Sequence, residues 1–223
     1  MITDTIKTLT VVFSNKIDRK ELTSFRGAVI SSLNEKNVLF HNHLEDGFRY
    51  AYPLIQYKRI RGKAAIMGIG EGTKVLDEIL SLGQITLELK NKESVFTVEE
   101  TIAENIGILH SEEMISYQLH DWLPLNSENY EKYNSSESLA FRLSLLEKIL
   151  VGNLLSFVKG IGIHLEEQII VSITQLNKEK VIKYKDVGLM SFDISFKANI
   201  VLPDNIGLGK SSSTGFGVLS RAD

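Results

Sequence analysis

The residues in this sequence best suited to chemistry are His41-Asn42-His43. On a strand, residues i and i+2 point to the same face, so this spacing sets two imidazoles side by side. Tyr50 and Tyr52 follow a short turn later, with Arg49 between the turn and Tyr50. Two groups that titrate near neutral pH can take and give protons in one reaction. Metal-free cleavage of RNA is one such reaction. One group removes the proton of the 2′-hydroxyl, and another protonates the leaving 5′-oxygen or steadies the charged phosphorane. A nearby cation such as Arg49 or Lys58 would stabilise that charge. The spacing alone leaves two other readings open. His-x-His occurs as ordinary polar surface sequence. It also offers two metal ligands, with Glu45 or Asp46 as a third.

The second candidate is the tail from Gly207 to Gly217, GLGKSSSTGFG. Gly209-Lys210-Ser211 mimics the end of a P-loop, but the earlier glycine would fall on Asp204 and no helix can follow. A nucleoside-triphosphate site is therefore rejected. What remains is a glycine loop with exposed amides, hydroxyls and one lysine, able to lie against a phosphate backbone or to be a plain flexible tail. Gly68-Ile69-Gly70-Glu71-Gly72 lacks dinucleotide-loop spacing, and Glu71 would repel a phosphate, so it reads as a strand-to-helix turn. His110, His120 and His164 are isolated and read as surface or satisfied core. Trp122 reads as packing.

The elements that would position these residues follow from periodicity. A strand is expected over Ile6–Phe13, then a helix opened by Asp18 and Glu21 with Leu22, Phe25, Val29 and Leu33 on one face. Two strands are expected around Glu45-Asp46-Gly47, with Pro53 pushing its stretch to an edge. A strand over Ala64–Ile69 leads to a helix over Thr73–Leu82 closed by Gly83. A hairpin turns at Asn91-Lys92-Glu93. Residues 99–113 read as a linker and Asn126–Asn134 as a polar loop. The strongest helix begins at Ser135 or Ser136, carries Leu139, Leu143, Leu146, Leu150, Leu154 and Phe157, and ends at Gly160. Three strands, Glu167–Leu176, Lys180–Tyr184 and Met190–Val201, precede the glycine loop and a last strand, Phe216–Ser220. The first half approximates a split βαβ unit; the second reads as a degenerate copy whose second helix is replaced by the loop.

The 223 residues are 43% hydrophobic and 24% charged, ordinary for a globular chain. Cysteine is absent, which removes disulfides and thiol chemistry and fits a reducing cytoplasm. MITDTIKTLTVVF lacks the pattern of a signal peptide, and no apolar run reaches the ~18 residues of a membrane span. The net charge of −3 argues weakly against nucleic acid, but charge is segregated. Residues 47–63 hold Arg49, Lys58, Arg59, Arg61 and Lys63 and no acid, whereas 71–104 hold eight acids and three lysines. A local basic surface can bind phosphates whatever the total.

The G-x-G-x-x-x-x-x-G-F-G pattern of Gly207 to Gly217 resembles the hallmark loop of the RAMP superfamily of CRISPR-associated proteins. The stretch LFHNHLEDGFRYAYPLIQYKRIRGKAAIMGIGEG (39–72), with Arg26-Gly27-Ala28, resembles the sixth Cas family, subtype b, whose members process CRISPR repeat RNA. The resemblance implies an α+β chain of two tandem ferredoxin-like (RRM-like) domains, 1–105 and 106–223. It implies metal-independent cleavage of precursor CRISPR RNA within the repeat, leaving a 5′-hydroxyl and a 2′,3′-cyclic phosphate or 3′-phosphate. His41, His43 and Tyr50 would be catalytic. Arg49, Lys58, Arg59, Arg61, Lys63, Gly207, Gly209, Lys210, Ser211, Gly215, Phe216 and Gly217 would hold the RNA. No cofactor and no metal are implied. The acidic total fits an enzyme that draws part of its RNA grip from a homodimer surface or a larger CRISPR effector complex.

Overall fold

The structure is a computed structural model that describes residues 5–32, 43–44, 47–48, 52–108, 110–184 and 187–222. The chain divides into two compact units, one holding Thr5–Gly107 together with Ser213–Gly215, the other holding Ile108–Ser212 and Phe216 onward.

In the first unit, β1 (Thr5–Lys16) is followed by a 3-10 turn, Arg19–Glu21, and α1 (Leu22–Ser32). The start signal read from Asp18 and Glu21 operates as expected: the Asp18 N–H donates to Glu21 Oε2 at 2.9 Å. Two short strands, β2 (His43–Leu44) and β3 (Gly47–Phe48), pair antiparallel, while Glu45 and Asp46 of the expected turn lie outside the described residues. Then come β4 (Ile55–Ile60), β5 (Lys63–Ile69), α2 (Thr73–Leu82), β6 (Gln84–Leu89) and β7 (Lys92–Gly107). Gly83 ends α2 in the left-handed conformation that a side chain disfavours. The sheet order is β4-β5-β1-β7-β6. Leu9, Val11 and Phe13 of β1, Ile55 and Tyr57 of β4 and Ile66 of β5 form one core with Leu22, Phe25 and Val29 of α1 and Leu76 and Ile79 of α2. Phe25 meets Phe13 and Tyr57 edge-on, at centroid distances of 6.1 and 5.9 Å.

Residues 99–113 are not a linker. Β7 runs to Gly107 and pairs antiparallel with β1 from Val98 to its end. Its glutamates mislead because the strand satisfies its backbone against β1 while keeping many side chains in solvent.

The second unit begins with β8 (His110–Trp122). A short helix, α3 (Ser127–Asn134), occupies the stretch that composition marks as a polar loop. It is held by its cap and by one anchor. Asn126 Oδ1 accepts from the Asn129 N–H at 2.8 Å. Tyr133 is 1% exposed and packs edge-on against Phe192. α4 (Leu139–Gly160) buries Leu146, Leu150, Leu154, Phe157 and Val158, whereas Leu139, at the first turn, is 61% exposed. The three strands expected next are two long ones, β9 (Val171–Tyr184) and β10 (Val187–Ile200), and β11 (Val218–Arg221) closes the unit. Asn177-Lys178-Glu179 looks like a turn but stays in register with β10 across a bulge.

The order β11-β8-β10-β9 places the four strands of a β-α-β-β-β chain as 4-1-3-2. In the first unit β4-β5-β1-β7 is the same order, 2-3-1-4 read from the other end. Both are split βαβ sheets, and in the second unit the tail loop stands where a second crossover helix would. Tyr117 anchors that loop's entry: its hydroxyl donates to Ile200 O at 2.9 Å and accepts from Leu202 N at 3.0 Å. No helix among the described residues is long and apolar enough to cross a membrane.

Candidate nucleic-acid interface

His41, Arg49 and Tyr50 lie outside the described residues. His43 opens β2 and pairs through its backbone with Phe48. What is described begins where the chain leaves this segment. Tyr52 is 7% exposed, and Gln56 Nε2 donates to its hydroxyl at 2.8 Å and to Pro53 O at 3.2 Å. This buried carboxamide ties the incoming chain to the start of β4.

β4 carries much of the basic run, and its neighbours change how that run reads. Lys58, expected as a surface phosphate contact, is 2% exposed, and its Nζ has no hydrogen-bond partner among the described residues. Alternation does not expose it because both faces of this strand are covered from Ile55 to Lys58. Ile55 and Tyr57 face α1, while Gln56 and Lys58, on the opposite face, are buried as well. Across the strands Lys58 stands beside Ala65, and Ala65 beside Val12, both essentially inaccessible. Burial pushes the Lys58 ammonium down from 10.5 to about 7.

Among the described residues, the other cations of the run, Arg59, Arg61 and Lys63, are exposed or half-buried but already engaged. Arg59 Nε donates to Ile17 O at 2.8 Å. Arg61 pairs with Glu100, and Lys63 with Glu99 at 2.6 Å. Charge that is segregated along the chain is thus matched in space, because β5 and β7 flank β1 and carry opposite signs at the same end. Such exposed pairs are worth roughly 0–1 kcal/mol, so a phosphate can compete for them.

The glycine loop is packed rather than free. Gly207 and Leu208 lie against Ser212, Gly217 and Val218, with Leu208 N donating to Gly217 O at 2.8 Å. A Cβ on Gly217, which has φ +58, would fall 1.9 Å from Leu208 O. Residues Ser213–Gly215 return to the first unit and extend its sheet beyond β4. Tyr57 N donates to Ser213 O at 2.8 Å, and Tyr57 and Thr214 form a parallel bridge. Gly215, at φ +80, sits against Leu22, where a Cβ would meet the side chain at 2.5 Å. Phe216 is 8% exposed and Ser211 half-buried. Gly209 is half-buried against Trp122 and Asn153, and Lys210 is exposed. Close packing therefore accounts for several of the glycines without any ligand, and Lys210 remains the cation that the loop offers to solvent.

Arg19 escaped the sequence reading, and Arg26 entered it only through the resemblance of Arg26-Gly27-Ala28. Arg19 and Arg26 lie on the first helical segment, and Arg19 Nη2 approaches Gly215 O at 3.5 Å. The available signal was their spacing of seven residues, which keeps two side chains on one helix face. His110, read as isolated, is bound at both nitrogens, by Glu167 and by Asn199 Nδ2 at 2.8 Å. Among the described residues no three His, Cys, Asp or Glu side chains come together as a metal site.

Two split βαβ sheets joined in tandem, with a glycine-rich loop in place of one helix, define an α+β protein of the RAMP type. The comparison with protein families makes the assignment specific. The Cas6b N-terminal domain model matches residues 4–106 and the Cas6b C-terminal domain model matches 109–222, so the chain belongs to the Cas6b family. A crystal structure of Cas6b superposes with a TM-score of 0.83 at 27% identity, covering 98% of this chain and 100% of that one. A crystal structure of the CRISPR RNA processing endoribonuclease Cas6b gives 0.75 at 24% identity, covering 98% of this chain and 100% of that one, a likeness of fold. An uncharacterized protein of Methanocaldococcus jannaschii, MJ0978, is 33% identical over 150 residues, 64% of this chain and 99% of that protein.

Proposed function

We propose that this protein is a metal-independent endoribonuclease that cuts precursor CRISPR RNA within the repeat. The observation that carries the reading is the match of both Cas6b domain models, which together account for nearly the whole chain, with His41-Asn42-His43 and Tyr50 present where the first domain bears its resemblance. The 2′-oxygen attacks the adjacent phosphorus as one histidine takes its proton. A bond from O2′ to phosphorus forms and the bond to O5′ breaks. The other histidine returns a proton to O5′, leaving a 2′,3′-cyclic phosphate and a 5′-hydroxyl. Tyr50 orients the phosphate or stabilises its charge. Arg49, Arg59, Arg61 and Lys63, with Lys210 and the loop of Gly207 to Gly217, hold the backbone.

Lys58 is left out of that surface set because it is buried. The engagement of Arg61 and Lys63 by glutamates supports an enzyme that draws part of its grip from a second copy or a larger CRISPR complex. The cytoplasm is the compartment that suits its substrate and its lack of cysteine.

The test is incubation of the purified protein with labelled RNA of the neighbouring CRISPR repeat in EDTA, with mapping of the product ends. A single cut bearing a cyclic phosphate or 3′-phosphate, abolished by deoxy substitution at the scissile nucleotide, supports the reading. His41→Ala and His43→Ala should each slow single-turnover cleavage by roughly 10²–10⁴-fold while leaving binding intact. Tight binding without cleavage would make the protein a guide-holding subunit, and cleavage only with added metal would make the histidines ligands.

A further inference from the structure

The glycine loop rests on the end of β8, and a strained residue stands there. Asp121 takes φ +52, in the left-handed region that residues with a side chain seldom enter. It lies in a bulge of β8, where His120 and Asp121 together stand against Asp193 of β10. Three ties hold it. Its N–H donates to Asp193 Oδ1 at 2.6 Å. Its carboxylate takes the Lys180 ammonium from β9. Its carbonyl accepts the Gly217 N–H at 3.1 Å. A strained backbone that its neighbours over-determine is characteristic of functional positions.

The two residues that follow carry more of the loop. Trp122 is fully buried, and its Nε1 donates to Asn153 Oδ1 on α4 at 2.9 Å. Gly209, at φ +82, lies so close to both groups that a Cβ would stand 2.8 Å from that nitrogen and 3.0 Å from that oxygen. Leu123 O accepts the Lys210 N–H at 3.3 Å. Residues 121–123 therefore receive Gly217, Gly209 and Lys210 in turn, and the exposed Lys210 side chain extends from a backbone that they hold. The Lys180 and Asp121 side chains are 30% and 22% exposed, so salt screens this pair less than a fully exposed one.

We infer that Asp121 and Lys180 are positioning residues of the RNA-binding loop: their ion pair fixes the left-handed turn at the end of β8, and that turn fixes the backbone from which Lys210 meets the RNA. Neither side chain needs to touch RNA. This inference rests on the RNA-processing reading above and adds to it the residues that set the loop's shape. Electrostatics alone would not place Asp121 here, because a carboxylate beside a phosphate-binding loop repels the ligand. Geometry accounts for it.

The experiment uses the full-length protein and a repeat oligonucleotide with a deoxy sugar at the scissile nucleotide, so that binding is measured without cleavage. Asp121→Gly keeps the left-handed backbone at no steric cost and removes the tie to Lys180. Charge alone predicts tighter binding by this variant. Loss of positioning predicts binding weaker by roughly three- to tenfold. Lys180→Met should weaken binding by a similar factor and Lys180→Arg should restore it. Asp121→Gly combined with Lys180→Met should lose little more than either alone, since both remove the same tie. Amide hydrogens of 207–217 should exchange faster in Asp121→Gly and Lys180→Met while α4 keeps its protection, a local change that a general loss of stability would not produce. Asp121→Gly that binds as tightly as wild type or tighter, or exchange over 207–217 that is unchanged, would overturn the positioning role and leave the enzyme reading standing. A wild-type protein that neither binds nor cuts the repeat would overturn both.

Discussion

Lys58→Met is the perturbation whose outcome follows most directly from the structure. Lys58 is 2% exposed and its ammonium has no hydrogen-bond partner among the described residues, and burial is the cause that moves it to about 7. In the unfolded chain a lysine titrates near 10.5. At 1.36 kcal/mol for each pH unit, that gap means burial disfavours the charged form by roughly 5 kcal/mol. Below pH 7 both states hold the proton, so the lysine contributes no slope and its full penalty. Between about 7 and 10.5 the unfolded chain holds a proton that the folded one has released, so stability rises with pH. From pH 7 to 9 the wild type should therefore gain roughly 2–3 kcal/mol on Lys58→Met, which has no proton to lose. The assay is urea unfolding followed by circular dichroism at half-unit steps of pH, read as the difference between the two proteins. At pH 6 the methionine variant should be the more stable, since it fills the same space without a charge. Parallel profiles for the two proteins would refute the argument, because they would mean that Lys58 keeps an ordinary proton affinity and that a counter-charge sits beside it.

Three further outcomes are expected. Gly217→Ala should cost roughly 2–4 kcal/mol, because its methyl meets Leu208 O at 1.9 Å on a left-handed backbone; thermal unfolding checks this, and a melting point within a degree of wild type would contradict it. Asn126→Ala removes the cap that accepts from Asn129 N and should cost about 1 kcal/mol, read in the same assay. Glu99→Gln combined with Glu100→Gln releases Lys63 and Arg61 and should tighten repeat RNA binding severalfold at low salt and little at high salt; equal affinities at low salt would show that these cations do not face the RNA.

Legibility in the sequence followed the strength of local signals. α2 was readable end to end because Leu76 and Ile79 recur at helical spacing and Gly83 supplies the left-handed cap. The split βαβ order was readable because β1, β5 and the α4 stripe each carry their own period. α3 was hidden because a polar stretch held by Asn126 and a single buried Tyr133 has no apolar stripe to announce it. β7 was hidden because its second half pairs by backbone and leaves glutamates in water, which composition cannot distinguish from a linker. Leu139 continues the periodic stripe of α4 but lies at its first turn, where it stays exposed. Lys58 was misplaced for a related reason: alternation assumes one wet face, and β4 has none from Ile55 to Lys58. The candidate catalytic residues His41 and Tyr50 belong to a stretch known from sequence alone.

Pairing of Ser213–Gly215 with β4 has a consequence for how the protein is made. Translation emits β4 about 150 residues before the strap, an interval of roughly 10–30 s at ordinary elongation rates. Throughout that time the N-terminal sheet carries a bare edge strand, open to pairing with any other extended chain. The segment that covers this edge at Tyr57 emerges only after the whole of β8 to β10 has been made. Stalled or prematurely terminated products should thus be the species most prone to aggregate, although nearly all of the N-terminal unit is already present in them.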